Sequence, residues 1–138
     1  MLNEAERKYL ESQPLGRLAT VDRNGVPQVR PLRLFRINED GTIDLGGPRT
    51  TSTQRYRNIQ TNPQVAFVVD DLGTEPDAIK PGWGRGVEVR GWAEALTVDN
   101  PPGGNSPMTG PDIIRIHPER IISWHIDPEN PEGGARNV

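Results

Sequence analysis

The stretch RTTSTQRYRNIQTNPQVAFVVDD, residues 49–71, combines a hydroxyl-rich turn, a short helix and an apolar strand. The pattern predicts a helix around residues 55–61 that ends at Asn62-Pro63, and then a strand over Val65–Val69. A helix N-terminus presents unpaired backbone N–H groups and the positive end of the helix dipole, and both favour a bound anion. Hydroxyl groups of the turn and a nearby guanidinium would complete a phosphate site. The stretch therefore indicates a phosphorylated ligand.

Most of the remaining chain is predicted to form strands joined by short turns. Asn24-Gly25 is a strong hairpin signal, and Pro27 and Pro31 mark an edge or a bulge in the strand that follows. The strand over Val65–Val69 is apolar on both faces, so we expect it to be buried at the centre of a sheet. The six predicted strands are residues 16–21, 26–37, 42–47, 65–69, 86–96 and 120–126.

The predicted helices are few and short. Residues 3–13 form an amphipathic helix, with Asn3 as its N-cap and Glu6 at the capping-box position. Residues 97–112 are a loop rich in Pro and Gly, and residues 113–117 are a short helix or turn. The fold class is therefore mainly β, six antiparallel strands closed into a barrel with short flanking helices. No βαβ alternation is present, which argues against a doubly wound sheet.

Length and composition narrow the class of protein. The chain has 138 residues, enough for one domain. We assign residues 1–126 to the barrel and residues 127–138 to a polar tail, mobile unless it docks on a partner. The net charge of −3 argues against nucleic-acid binding. No apolar run is long enough to span a membrane and the N-terminus is polar, so we expect a cytoplasmic protein. Without cysteines, and with two histidines in apolar surroundings, no metal site is expected.

Four segments, in this order, resemble the split-barrel flavin-binding family of pyridoxamine 5′-phosphate oxidase-like proteins, the FMN-binding split barrel. They are LGRLATVDRNGVPQVRPL (15–32), TSTQRYRNIQTNPQVAFVV (51–69), GVEVRGWAEAL (86–96) and HPERIISW (117–124). Within that family the chain is most similar to the branch of deazaflavin (F-420)-dependent oxidoreductases. The C-terminal Arg-x-His-type substrate motif of pyridoxamine phosphate oxidases has no counterpart here, so we do not expect that reaction.

The resemblance implies a cofactor site and its residues. Arg55 falls on the phosphate-binding position and Thr53 on the neighbouring hydroxyl position. The segment Arg30–Leu32 falls on the strand whose backbone lines the flavin-type ring, and Trp124 on a tryptophan of the closing strand. The full set of predicted cofactor-binding residues is Arg30, Pro31, Leu32, Gly46, Gly47, Thr50, Thr51, Ser52, Thr53, Arg55 and Trp124.

The resemblance also implies a homodimer with two cofactor sites at the subunit interface. The expected activity is hydride transfer from reduced F-420 to an oxidised, conjugated small-molecule acceptor, with no catalytic side chain assigned. The acidic tail of F-420 would favour additional arginines, for which Arg33, Arg36 and Arg57 are candidates. Two alternatives remain open: an FMN-dependent oxidoreductase, and a flavin- or tetrapyrrole-binding protein without catalysis.

A plainer interpretation exists for the same residues. Arg55 and Arg57 are also what a solvated helix surface would carry, and Arg57 points to another part of the helix than Arg55. Thr50–Thr53 could serve only to cap the helix, which requires one hydroxyl. The tryptophans could simply pack in the core or at the dimer interface.

Overall fold

The computed structural model describes residues 1–138 and contains eight strands and two α-helices. The strands are β1 Gly16–Val21, β2 Pro27–Leu32, β3 Phe35–Ile37, β4 Ile43–Leu45, β5 Gln64–Asp71, β6 Arg85–Thr97, β7 Asp112–Trp124 and β8 Gly134–Asn137. The helices are α1 Glu4–Ser12 and α2 Gln54–Thr61, and a single 3₁₀ turn, Thr50–Ser52, precedes α2. Neither helix is long and apolar enough to cross a lipid bilayer.

The strands form one antiparallel sheet that curls into a split barrel. Its order is β2-β1-β5-β6-β7-β4-β3, with β8 added beside β7. β2 and β3 lie at opposite ends of this order, yet only Arg33 and Leu34 separate them in the chain. Two residues cannot bridge the width of a flat seven-stranded sheet, so its two ends must curve towards each other. The predicted mainly β split barrel is therefore confirmed.

The strand count differs from the predicted six for identifiable reasons. The predicted strand over residues 26–37 is interrupted at Arg33-Leu34, where the Leu34 carbonyl accepts a hydrogen bond from Gly46 N at 2.8 Å. The helix or turn predicted for residues 113–117 is wrong, because these residues belong to β7. A register shift at Arg90/Gly91 lets β7 continue through Pro118. A Cβ atom at Gly91 would overlap the His117 carbonyl, so glycine is required there.

The core fills the inner face of the curled sheet. Side chains from the central strands, including Phe67, Val89 and Ile121, are fully buried there, and Leu10 of α1 and Ile59 of α2 pack against them. The strand predicted over Val65–Val69 lies centrally, between β1 and β6. Only one of its faces is buried within this chain, because Ala66 and Val68 remain half-exposed on the outer face.

One buried carboxylate holds β3, β4 and β7 together. Asp44 is 0% exposed and receives Arg115 Nε at 2.7 Å, Arg115 Nη2 at 3.0 Å and Arg36 Nη2 at 3.1 Å. Burial by itself raises the pKa of Asp44, but hydrogen bonds from Arg115, Asn38 and Arg36 outweigh burial and leave that pKa below its usual value. Arg36 is therefore committed to the fold, which corrects its candidacy as a ligand for an acidic tail.

A second buried carboxylate joins the two ends of the chain. The predicted capping box is confirmed: Asn3 Oδ1 accepts from Glu6 N, and Glu6 Oε2 accepts from Asn3 N. Glu6 is only 1% exposed and also receives Arg136 Nη1 at 2.6 Å and Nη2 at 2.8 Å. Residues 134–137 thus dock on β7 and α1 of their own chain, where a mobile tail was expected in the absence of a partner.

Candidate functional site

A cleft of about 640 Å³ opens between the N-terminal end of α2 and the edge strand β2. Antiparallel pairing of β1 with β2, and packing of α2 against β1, place both walls. Three of the predicted cofactor-binding residues, Arg30, Thr53 and Arg55, come together here. The lining consists of Leu18, Thr20, Gln28, Val29, Arg30, Thr53, Gln54 and Arg55.

Arg55 is the most informative residue of this cleft. Its side chain is half-buried and makes no hydrogen bond or ion pair with any other residue of the chain. Burial lowers the pKa of Arg55, since the surroundings disfavour the charged form. A Cβ atom at Gly47 would lie 3.4 Å from Arg55 Nη2, which places Gly47 beside the guanidinium. A partly buried cation without a protein partner is costly, so this geometry favours a bound anion.

In the hydroxyl-rich turn before α2, the hydroxyl groups of Thr50 and Thr53 are used to hold the backbone in place and are not free for a ligand. Thr53 caps α2: its Oγ1 accepts from Tyr56 N at 3.3 Å and donates to the Thr50 carbonyl at 2.6 Å. Thr50 is buried, and its Oγ1 donates to the Gly47 carbonyl at 3.1 Å. Both hydroxyl protons are therefore already engaged within the chain. Thr51 and Ser52 are exposed, and a role for either in binding phosphate stays a prediction.

At the free edge of β2 the outward backbone N–H belongs to Val29, and not to a residue of the predicted segment Arg30–Leu32. Asp22 N donates to the Val26 carbonyl at 3.0 Å, and the alternation of an antiparallel ladder then directs the backbone groups of residues 28, 30 and 32 towards β1. Residues 27, 29 and 31 face the free edge, and two of them are prolines without N–H groups. Val29 is consequently the residue of β2 that offers both an outward N–H and an outward carbonyl.

The predicted segment Arg30–Leu32 is thus divided by the structure. Arg30 lines the cleft, Pro31 faces the outer side of the sheet, and Leu32 is buried in the core. Val29, 57% exposed, was missed by sequence reasoning. The spacing of two prolines around it in an edge strand was the signal that could have identified it.

Trp124 and Gly46 do not line the cleft of their own chain. Trp124 lies against Gly86, at the far end of β7 from Ile114. Ile114 pairs with Leu45, next to Gly46, so roughly 30 Å of strand separates Trp124 from this end of the site. Gly46 instead packs against the Pro102 backbone. A cofactor contact by Trp124 could come only from a second subunit, and it stays a prediction.

Asn58 is a second residue that sequence reasoning missed, although it lies in the quoted family segment. Its side chain is buried, and Nδ2 donates to Thr20 Oγ1 at 2.9 Å and to Gln28 Oε1 at 3.0 Å. Its Oδ1 accepts from Gln54 Nε2 at 2.7 Å. Asn58 therefore ties α2 to β1 and β2, and so fixes the distance between the two walls that carry Arg55 and Arg30.

The cleft offers two guanidiniums to an anion, but it carries no side chain suited to proton transfer at neutral pH. Arginines are its ionisable residues, and arginine keeps its proton in proteins. Nowhere in the chain do three His, Asp or Glu side chains form a group that could hold a metal ion.

Comparisons with known proteins agree with this architecture. The family described as "Pyridoxamine 5'-phosphate oxidase" matches residues 2–125. The chain is 39% identical over 128 residues to the 5a,11a-dehydrotetracycline/5a,11a-dehydrooxytetracycline reductase of Streptomyces rimosus, covering 90% of this chain and 83% of that protein.

Solved structures show the same fold. A conserved hypothetical protein of Mycobacterium tuberculosis superposes with a TM-score of 0.65 and 26% identity, covering 91% of this chain and 86% of that one. A putative pyridoxamine 5′-phosphate oxidase of Lactobacillus delbrueckii superposes with a TM-score of 0.63 and 21% identity, covering 87% and 92%.

Proposed function

The chain belongs to the pyridoxamine 5′-phosphate oxidase family, and from this premise we propose that it is an F-420-dependent oxidoreductase. In this proposal reduced F-420 occupies the cleft between α2 and β2. A hydride passes from it to an oxidised, conjugated small molecule. The observation that carries the proposal is the half-buried guanidinium of Arg55, which has no partner within the chain and faces a cleft large enough for a flavin-like ring.

The residues of the cleft suit the parts of such a cofactor. Arg55, together with the backbone N–H groups at the start of α2, would hold the phosphate. Val29 would offer its N–H and carbonyl to the polar edge of the ring. When bound, F-420 supplies the hydride chemistry, and the protein supplies binding, orientation and exclusion of water. A proton needed by the acceptor would come from solvent, because the cleft holds no suitable acid.

The proposed acceptor rests on the relative from Streptomyces rimosus, and the proposed cofactor rests on the sequence resemblance to the F-420-dependent branch and on charge. By its name, that protein is a reductase of dehydrotetracyclines; by extension, the acceptor proposed here is an oxidised conjugated compound. Arg30 and Arg55 in one cleft favour a strongly anionic cofactor. FMN also carries a phosphate that Arg55 could bind, so it is the second candidate.

One pair of measurements tests the proposal. Apo protein is titrated with F-420 and with FMN by ring fluorescence, and we expect tighter binding of F-420. The protein is then mixed with reduced F-420 and a panel of quinones, enones and nitro compounds, and reoxidation is followed by absorbance. Protein purified with bound FMN would reverse the cofactor choice. Binding of F-420 without catalysed reoxidation of any acceptor would favour a carrier.

We also propose that the active form is a homodimer joined through the outer face of the sheet. Ala66, Val68 and Ile122 are half-exposed there, and Val29 is exposed at its border. These apolar side chains lie among charged neighbours, since Glu88 sits between Val68 and Ile122 on the same face. A solvent-facing sheet surface of a single chain normally carries polar residues, so the half-exposed apolar positions favour a partner. The ion pair between Arg17 and Asp70 flanks the same face.

The dimer makes a direct prediction. Val68→Asp places a charge in the proposed interface and should convert the dimer to a folded monomer, because the side chain faces away from the core. Size-exclusion chromatography with light scattering measures the mass. Met108→Asp is the matched control, since Met108 is 75% exposed on a distant loop and should leave the dimer intact. A monomeric wild type, or a dimeric Val68→Asp protein, contradicts this interface.

A further inference from the structure

The loop between β5 and β6, residues 72–84, keeps a tryptophan exposed to solvent. Trp83 is 76% exposed, and Leu72 at the start of the same loop is exposed as well. We propose that in the dimer this Trp83 loop reaches the cofactor cleft of the second copy, where Trp83 packs on the free edge of β2 at Val29 and contacts the bound ring. This inference rests on the proposed function and the proposed dimer, and it goes further because each site then takes a residue from the other subunit.

The Trp83 loop is held in shape by its own backbone. Gly82 N donates to the Gly73 carbonyl and Gly84 N donates to the Leu72 carbonyl, each at 3.0 Å. Gly82 and Gly84 have φ angles of +79° and +90°, a region that residues with a Cβ atom rarely adopt. The bends on both sides of Trp83 are therefore built into the sequence.

Contacts outside the loop fix its place on the barrel. Lys80 Nζ lies 5.1 Å from the centroid of the Trp83 ring and 2.8 Å from Glu132 Oε1, so one ammonium group joins the indole to the C-terminal turn. His125 Nδ1 donates to the Gly84 carbonyl at 2.8 Å. A side chain that is already ordered loses little further entropy when it binds. An ordered, exposed tryptophan is therefore well suited to anchor an interface.

The loop is acidic. Residues 70–85 carry four carboxylates, one lysine and one arginine, a formal charge of −2. Asp71 and Glu75 pair with Arg85 of the same chain, whereas Asp77 is exposed and forms no ion pair. Negative charge therefore accompanies Trp83 to any surface on which it docks.

The walls of the cofactor cleft carry the opposite charge. Residues 23–38 and 45–69, which include β2 and α2, contain seven arginines and no Asp or Glu. Of these, Arg57 donates only to uncharged groups, the Ser52 carbonyl and Gln54 Oε1. An acidic loop and a basic cleft on one molecule attract each other between two copies, and a two-fold axis makes the contact twice.

The free edge of β2 offers a matching apolar surface. Val29 is exposed there, and Arg30 and Arg55 lie beside it in the cleft. Proteins normally cover an unpaired strand edge that carries an apolar side chain. A guanidinium next to an indole adds a cation–π attraction. Trp83 of a second copy would supply both the cover and the aromatic ring.

The position of the loop agrees with the proposed interface on the outer face. Leu72 follows Val68 by four residues, and Val29 lies two strands away from Val68, on β2. Each is therefore roughly 10–15 Å from Val68, in a different direction. A two-fold axis beside Val68 can bring the Trp83 loop of one copy to the β2 edge of the other.

The contact between Trp83 and a second copy can be tested without cofactor. Trp92→Phe/Trp124→Phe leaves Trp83 as the only tryptophan, and acrylamide quenching of its fluorescence measures its access to solvent. In the dimer we expect quenching about threefold slower than that of N-acetyltryptophanamide, and Val68→Asp should remove this protection. The quenching difference between wild type and Trp83→Leu gives the same quantity if the double variant does not fold. A dimer in which Trp83 is quenched as fast as the free indole derivative, or a monomeric wild type, overturns the proposal.

Mixed dimers test whether Trp83 serves the cleft of the other subunit. Trp83→Leu keeps an apolar side chain but loses the aromatic ring, and it should weaken cofactor binding about five- to tenfold. A dimer of one Trp83→Leu subunit and one Arg55→Ala subunit is purified through two affinity tags. One of its sites then combines an intact Arg55 with an intact Trp83 from the other chain, and the other site carries both defects. Titration by ring fluorescence should show one site per dimer with wild-type affinity.

The outcomes separate this inference from the proposed function. A Trp83→Leu homodimer that binds as tightly as wild type overturns the contact with the cleft, and a mixed dimer without a wild-type site overturns the contribution from the other subunit. Trp92→Leu is the matched control, because Trp92 stacks on His117 elsewhere on β6 and its loss should leave cofactor affinity unchanged. If Arg55→Ala binds both cofactors like wild type, the phosphate site is wrong, and the quenching experiment still decides where Trp83 packs.

Discussion

Replacing Arg55 with alanine is expected to weaken cofactor binding by about 10- to 100-fold, which corresponds to the loss of one charge-assisted contact of about 1.5–3 kcal/mol. Arg55 is the half-buried cation of the cleft, and no other side chain of the chain engages it. The phosphate would therefore lose its main cationic partner. Fluorescence titration with F-420 and with FMN measures the effect, and both affinities should fall because both cofactors carry a phosphate.

Two further variants show whether the effect is specific to this site. Arg55→Lys keeps the charge but not the planar fork of donors, so its affinity should lie between wild type and Arg55→Ala. Arg33→Ala removes an exposed arginine from another cleft and should leave binding of FMN unchanged. Thermal unfolding of the apo protein should change little in Arg55→Ala, since no hydrogen bond or ion pair within the chain is lost. Unchanged affinity for both cofactors in Arg55→Ala would exclude the proposed phosphate site.

Replacing Asp44 with alanine should lower the free energy of unfolding by about 3 kcal/mol, the low end of what is measured when one partner of a buried ion pair is removed. The carboxylate is fully buried, while the side chains of Arg36 and Arg115 keep 36% and 29% of their surface exposed. The two guanidiniums can therefore partly turn to water, which limits the loss. Urea unfolding measures it. Glu11→Ala is the control, because Glu11 pairs with Arg7 at the surface of α1 and should cost less than about 1 kcal/mol.

The same carboxylate predicts how stability depends on pH. Hydrogen bonds from the arginines hold the pKa of Asp44 below its usual value in the folded protein. Its contribution is therefore fully present above the unfolded pKa, about 3.9, and is lost as the pH falls through the lower folded pKa. Asp44→Asn should be less stable than wild type at pH 7, and the difference should narrow below about pH 4. Parallel stability curves for the two proteins from pH 7 to pH 3 would contradict this role.

Features governed by neighbouring residues were accessible from the sequence. The capping box of Asn3 and Glu6, the turn at Asn24-Gly25 and the N-cap at Thr53 depend on contacts within three or four residues. The end of α2 before Pro63 follows from the geometry of proline. The barrel could also be predicted, because the four family motifs occur in the expected order and that order indicates how the local elements combine. Arg55 could be singled out for the same reason, since its place at the start of a helix is a local property.

Features that depend on residues far apart in the chain required the folded structure. Asp44 and Arg115 are 71 residues apart, and Glu6 and Arg136 are 130 apart, so no local pattern predicts either pair. The distinction between Arg36, which is used by the fold, and Arg57, which is left available, depends on which side chains the curled sheet brings near each one. Which residues form a strand is encoded by the local sequence. Which strand they pair with, and which edge of the sheet faces the ligand, is decided by packing between residues that are far apart in the chain.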